Sequence, residues 1–378
     1  STFHAGGKVA IVQSEKFQLA GNYLNLFDVS STLTDTSRSA RNPVTSFELN
    51  ANLANNSSVS LDLTGESGFS QLNFKNDTLS PAETKGAFMD GQLMAHLKNI
   101  RLKLSAGYSY VHPYFFSSAA QTKRIHYENT PALFPVYGND VTNLNLRFVT
   151  LFDLVRDFSI YNAGITYRLM AYNPIYGNTL AYGRATPNRQ GINAGLTYAD
   201  STGLIKANLK TYLMNEVVPE GTVDSKRKFS FNTITIDFYL NKLIGFKKNI
   251  LISGGISLEN TKRNGDTSDA IQLKSNMIDA GLEIEALKKF DILIGVKILS
   301  SRGNEFLAVR NIYNRIVSFQ PLQNINLQQN MLGYGVRYRF SKATYLSLNY
   351  HTFAFTDKSN NNKTYNMNQW YILFNLSL

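Results

Sequence analysis

The chain has 378 residues, 43 % hydrophobic and 17 % charged, with a formal net charge of +11 and no cysteine. Without cysteine there are no disulfides, thiolate metal ligands or cysteine nucleophiles, and the basic residues are too dispersed to suggest a nucleic-acid partner. No stretch approaches the roughly 20 apolar residues of a membrane-spanning helix. The mean hydropathy of −0.20 is also what a barrel gives, because its lipid-facing and lumen-facing residues alternate.

Residues 1–16, which include Gly6 and Gly7, lack the apolar stretch of a leader and are expected to be the periplasmic tail of a mature chain. An extra strand or a partial lumenal plug are the alternatives for this segment. From residue 17 to 378 we expect a single all-β domain, an antiparallel up-and-down transmembrane barrel. Period-2 alternation marks the strands: Ile100, Leu102, Leu104, Ala106, Tyr108 and Tyr110 take one face, and Arg101, Lys103, Ser105, Gly107 and Ser109 the other. In chain order the strands fall near 17–29, 44–54, 57–67, 87–98, 100–111, 141–152, 158–171 and 191–199. They continue near 203–214, 228–240, 248–260, 276–287, 290–300, 330–341, 343–355 and 366–378. Short and long connections alternate, as in barrels with tight periplasmic turns and long outer loops. With both ends periplasmic the count must be even, which selects about sixteen strands within a range of 14–18. Tyr108, Tyr110, Tyr198 and Tyr350 sit near strand ends on the apolar face, where an aromatic girdle belongs.

The last strand, Gln369 to Leu378, ends Phe374-Asn375-Leu376-Ser377-Leu378. It resembles the terminal signature of Gram-negative outer-membrane β-barrels, with leucine where phenylalanine is usual. That resemblance covers nearly the whole chain and names an architecture of porin-like type. It implies an outer-membrane location and contact with outer-membrane lipid and lipopolysaccharide.

Function should lie on the polar face, because in lipid the wall must be fully hydrogen-bonded and apolar outside. In the expected register Glu48, Asp62, Glu66 and Asp90 point inward, followed by Arg101, Lys103, Arg147, Arg168, Lys206 and Lys210. Asp237, Glu259, Asp279, Glu283, Glu285 and Asp291 come next, then Lys297, Arg337 and Arg339. Two readings stay open: acidic and basic sectors across a polar channel, or charges that pair inside an occluded lumen. The loop 112–140 is rich in aromatic residues, with His112, Tyr114, Phe115, Lys123, Arg124, Phe134 and Tyr137. It is costly to leave in water and should pack in the lumen as a constriction or against a partner protein. No catalytic set, metal site or cofactor is expected. Ser347, Asn349 and His351 share a strand face and are read as lumen lining. The leading expectation is a channel for small polar or anionic solutes. The alternative is a non-catalytic barrel subunit of a multi-protein outer-membrane complex for secretion, uptake or surface assembly.

Overall fold

The computed structural model describes residues 2–14, 16–33, 39–75, 84–121, 150–156, 169, 172–221, 224–265, 269–313, 315–341, 343–360 and 363–376. Its first half contains β1 (Thr2–Ser14), β2 (Phe17–Asp28), β3 (Ala40–Asn55), β4 (Val59–Gln71), β5 (Asn73–Phe74), β6 (Lys85–Leu97), β7 (Leu102–Val111), β8 (Ala181–Arg184) and β9 (Arg189–Ala199). The second half contains β10 (Ile205–Asn215), β11 (Lys228–Tyr239), β12 (Ile250–Arg263), β13 (Ile271–Leu287), β14 (Phe290–Glu305), β15 (Ala308–Arg310), β16 (Ile316–Phe319), β17 (Gln323–Arg339), β18 (Tyr345–Asp357) and β19 (Lys363–Asn375). Sixteen of these form one sheet in the order β1-β2-β3-β4-β6-β7-β9-β10-β11-β12-β13-β14-β17-β18-β19, with β5 pairing off the path to β3. The hairpin β15–β16 stands apart.

The register sorts side chains into rows. On the outward face Ile234, Ile256, Ile278 and Ile298 form one row across β11–β14, and Phe238, Ile252, Leu282, Ile294, Tyr334, Tyr350 and Trp370 form another across β11–β19. Toward the long loops the outward positions turn polar: Asn276, Lys274 and Gln272 on β13, and Asn330, Gln328, Asn326 and Asn324 on β17. Toward the short turns they end in aromatics, with Tyr338 against Phe340 and Phe340 against Phe374. Every described Asp and Glu of the wall strands faces inward by the same register. Apolar outward rows, inward charge and up-and-down hairpins make the wall of an outer-membrane-type β-barrel.

The sheet curls around a segment of its own chain. Asn178 bonds Glu305 of β14, and Arg184 is ion-paired with Asp90 of β6. Those strands lie seven spacings apart in the path, about 34 Å in a flat sheet. The six residues from Asn178 to Arg184 span about 20 Å at most, and the side-chain contacts at their two ends carry the segment across the inward face from β14 to β6.

Three features differ from the expectation. Residues 2–14 are a wall strand, β1, paired along its length with β2, and not a tail. Its alternation is hidden because Val9-Ala10-Ile11-Val12 is apolar on both faces and Gly6-Gly7 interrupts the pattern. β1 enters from the long-loop end while β19 leaves at the short-turn end, so the even-count argument from two ends on one side does not apply. Finally, β7 pairs directly with β9, with no strand between them where two were expected, near 141–152 and 158–171. Residues 151–152 begin a short helix, Leu151–Arg156, while 141–149, 157–168, 170 and 171 lie outside the described residues.

Candidate functional site

Described residues of the excursion from β7 to β9 pack against the inward face of the wall. Leu151, Phe152, Ile175 and Tyr176 join Leu273, Met277, Leu293, Leu299, Ile325, Leu327, Met331 and Phe353 in a buried core on the inward side of β13, β14, β17 and β18. The Phe152 and Phe353 ring centroids are 5.7 Å apart. On the opposite side the Phe116 N–H donates to Ser70 Oγ at 2.9 Å, and Ser118 Oγ lies 2.8 Å from His4 Nε2. Gly86 makes this approach possible, since a Cβ there would stand 2.0 Å from the Phe115 nitrogen. Of the residues expected in this loop, Tyr114 is half-buried and Phe115 is buried against Phe88 at 4.8 Å. His112 is half-buried, and burial lowers its pKa. Lys123, Arg124, Phe134 and Tyr137 lie outside the described residues, as do Arg147 and Arg168.

A buried polar network anchors the segment. Glu259 on β12 accepts the N–H groups of Gly177 at 2.8 Å and Thr179 at 2.6 Å. Asn178 Nδ2 donates to Thr261 Oγ1 at 2.8 Å and Glu305 Oε2 at 2.9 Å. Arg189 Nε donates to the Thr179 carbonyl at 3.1 Å, with its guanidinium 3.7 Å from the Phe229 ring centre. Beside it Arg227 lies 3.6 Å from Glu216 and 3.4 Å from Glu305. Burial opposes the charge on Arg227, but Glu305 and Glu216 outweigh it and leave its pKa raised. Sequence reasoning missed Glu216, Arg227 and Glu305, which it had placed in loops with no register to aim them.

Burial pushes the Glu216 carboxyl above its ordinary 4.5, against the pull of Arg227. A raised folded-state value means that folding favours the protonated form, so this contribution is fully present at low pH and is lost as pH rises through the folded value. Acidification from neutrality toward 4.5 should therefore tighten the 216–227 loop so far as Glu216 decides, and Glu216→Gln should flatten the dependence. Protease nicking of that loop that increases on acidification in the unaltered chain, but not in the variant, would contradict this assignment.

A second loop covers the mouth. Tyr313, between β15 and β16, packs edge-on against Phe74 at 5.0 Å. Arg315 lies over the Tyr114 ring at 4.8 Å, and Arg310 is 3.7 Å from Glu220. Loop 306–322 thus reaches from β14 and β17 to the β3–β5 side.

The expected inward charges separate into three groups. Glu48, Glu66 and Asp90 sit side by side on β3, β4 and β6. Lys8 bonds Glu48 at 2.5 Å, Arg184 pairs with Asp90, and Ser109 donates to Asp90 at 2.6 Å. These acids line a cavity of about 450 Å³ between the wall and the infolded segment, with Leu24, Val44, Phe88 and Phe115. Asp62, nearer the short turns, accepts from Asn52 at 2.6 Å. The second group is paired: Arg337 bridges Glu283 and Asp291, and Arg339 bridges Glu285 at 3.2 Å and Asp291 at 2.8 Å. Asp279 and Lys297 are cross-strand partners, both buried. The Arg337 and Arg339 side is therefore not an unbalanced basic sector. The third group, Lys103, Lys206 and Lys210, faces inward on β7 and β10 yet is solvent-exposed. Asp237 lies across from Lys206. Arg101 does not line the interior. It sits in the β6–β7 turn at φ 52° and donates to the Asp200 and Ser201 carbonyls, because the turn needs a left-handed residue there.

Ser347 and His351 are four residues apart on one strand face, about 13 Å, too far for nucleophile and base. Asn349 donates to Ser347 Oγ at 2.9 Å, and His351 Nε2 lies 3.0 Å from the Tyr371 hydroxyl.

No protein-family model and no curated protein matches the chain. Among solved structures it is similar to in-vitro folded OmpT, an outer membrane protein of Vibrio cholerae in its trimer form, at 8 % identity over 97 % of this chain and 98 % of that one, with a TM-score of 0.36. Outer-membrane expressed OmpT of Vibrio cholerae matches at 8 % identity over 92 % of this chain and 90 % of that one, with a TM-score of 0.35. The loop L8 deletion mutant of OmpT from Vibrio cholerae matches at 8 % identity over 99 % of both chains, also with a TM-score of 0.35. Likeness of this degree assigns neither activity nor solute.

Proposed function

We propose that the chain is a non-catalytic outer-membrane barrel that passes small polar or anionic solutes along one side of a partly filled lumen. The observation that carries this reading is the asymmetry of the interior. On the β13–β18 side the infolded segment builds an apolar core and the charges are paired. On the β7–β11 side Lys103, Lys206 and Lys210 face inward and stay exposed. Solvent-exposed cations on a lumenal wall raise the local concentration of anions and lower their barrier. The outer-membrane placement is supported by the outward face, which carries apolar rows and no described carboxylate.

Planar-bilayer recording tests the reading. The protein should give discrete conductance steps with a preference for anions, and the triple change Lys103→Glu, Lys206→Glu and Lys210→Glu should reverse that preference. No conductance above background would discard the channel.

A further inference from the structure

Above its apolar rows, the outward face of β11–β14 holds two like-charged cross-strand pairs, Lys228 opposite Lys262 and Lys274 opposite Arg302. Directly opposed residues stand about 5 Å apart, and like charges there destabilise a sheet. All four are exposed, and none of their side chains makes a hydrogen bond or ion pair with another described residue. No described carboxylate of the wall strands shares this face. The arrangement is therefore short of negative charge where the sheet could most easily have supplied it.

Local geometry makes room for a ligand. Lys274 and Arg302 border an open cleft of about 430 Å³ with Gln272, Gly303, Asn304 and Asn324. Gly303 has φ 127°, and a Cβ there would lie 1.7 Å from the Gln272 carbonyl oxygen. Only glycine lets the two backbones close at this point. Asn304 is held in place, accepting the Gln272 N–H at 2.8 Å and donating to the Ala270 carbonyl at 3.1 Å.

Depth identifies the ligand class. The pair Lys274 and Arg302 lies four residues above Ile278 and Ile298, the first apolar row, or about 13 Å along the strand. With a barrel strand's tilt of about 40° the rise is roughly 10 Å, which reaches the headgroup layer above the hydrocarbon. We propose that this patch is a binding site for the phosphate groups of a phosphorylated lipid headgroup in the outer leaflet, with Lys274 and Arg302 as its centre and Lys228 and Lys262 as its flank. The proposal rests on the membrane reading of the outward face. The lipid's acyl chains would lie over Ile278 and Ile298 while the phosphate neutralises the facing cations.

The test uses the full chain in detergent micelles, with diphosphorylated lipid A, its dephosphorylated form and inorganic phosphate as probes. The phosphorylated lipid should bind at least tenfold more tightly than the dephosphorylated one. Replacing both central cations, Lys274→Gln with Arg302→Gln, should weaken it by about ten- to thirtyfold at roughly 1 kcal/mol per cation. The charge-preserving pair Lys274→Arg with Arg302→Lys should retain most of the affinity. Equal affinity for the two lipids, or no change in the Gln variant, overturns the site. Displacement of lipid A by equimolar inorganic phosphate overturns the assignment to a lipid headgroup. Insertion into phosphatidylcholine vesicles is scored in parallel for the unaltered chain. Failure to insert overturns the membrane reading and the site with it, whereas insertion without lipid preference overturns the site alone.

Discussion

Glu259→Ala should loosen the infolded segment and raise the single-channel conductance. Glu259 is 7 % exposed and receives two backbone N–H groups, from Gly177 and Thr179. Hydrogen bonds to a charged acceptor contribute about 1.5–3 kcal/mol each, and a buried donor left unmet adds its own desolvation cost. We expect a loss of about 3–5 kcal/mol for the docked state of residues 172–188, enough to populate an undocked one. The wall should survive, because β12 keeps its ladders to β11 and β13. Limited proteolysis should then cut within 172–188 while the heat-modifiable gel shift of the folded barrel persists. Glu259→Gln should lie between, since an amide keeps one acceptor but turns a donor toward a donor. Unchanged proteolysis and conductance in the alanine variant would show that the segment is held by its apolar core alone.

Arg337→Met should be the most destabilising single change in the wall. Arg337 and Asp291 are both largely buried, the Asp291 side chain at 1 % exposure, and their closest contact is 2.7 Å. Removing one partner of a buried pair leaves an uncompensated charge, at a cost of about 3–5 kcal/mol. Here Asp291 keeps Arg339 at 2.8 Å, so the lower end of that range applies. Adding Asp291→Asn should recover part of the loss, because a neutral side chain no longer needs the cation. The urea midpoint of unfolding, read by the gel shift, measures both. A loss below about 1 kcal/mol would place these groups in lumenal water, where ion pairs contribute little.

The short-turn half of the wall was legible in the sequence. There Ile278, Ala280, Leu282 and Ile284 alternate with Asp279, Gly281, Glu283 and Glu285, and the structure turns the first set outward and the second inward. The long-loop half was not. Residues 301–305 and 323–329 read as loop, yet they extend β14 and β17. Their alternation inverts, with Ile325 and Leu327 inward and Asn324, Asn326 and Gln328 outward. Inside, the infolded segment makes the environment apolar, while outside the strand has risen out of the hydrocarbon. A rule that assigns polar residues to the lumen fails where the lumen is a core.

The amino-acid sequence by itself determined the antiparallel wall, the alternation of turn lengths and the inward aim of Glu48, Asp90, Lys206 and Arg337, because period-2 geometry and lipid contact act on neighbouring residues. Which charges meet was decided only in three dimensions. Arg184 reaches Asp90 across 94 residues of chain, and Asn178 reaches Glu305 across 127. Such pairs depend on the curl of the sheet and on where residues 112–121 and 172–188 meet its inward face, neither of which leaves a periodic trace. The burial of Phe115 and Phe116 agrees with the cost of leaving aromatic residues in water, and the polar anchors of residues 177–179 became visible only once strands distant in sequence faced one interior.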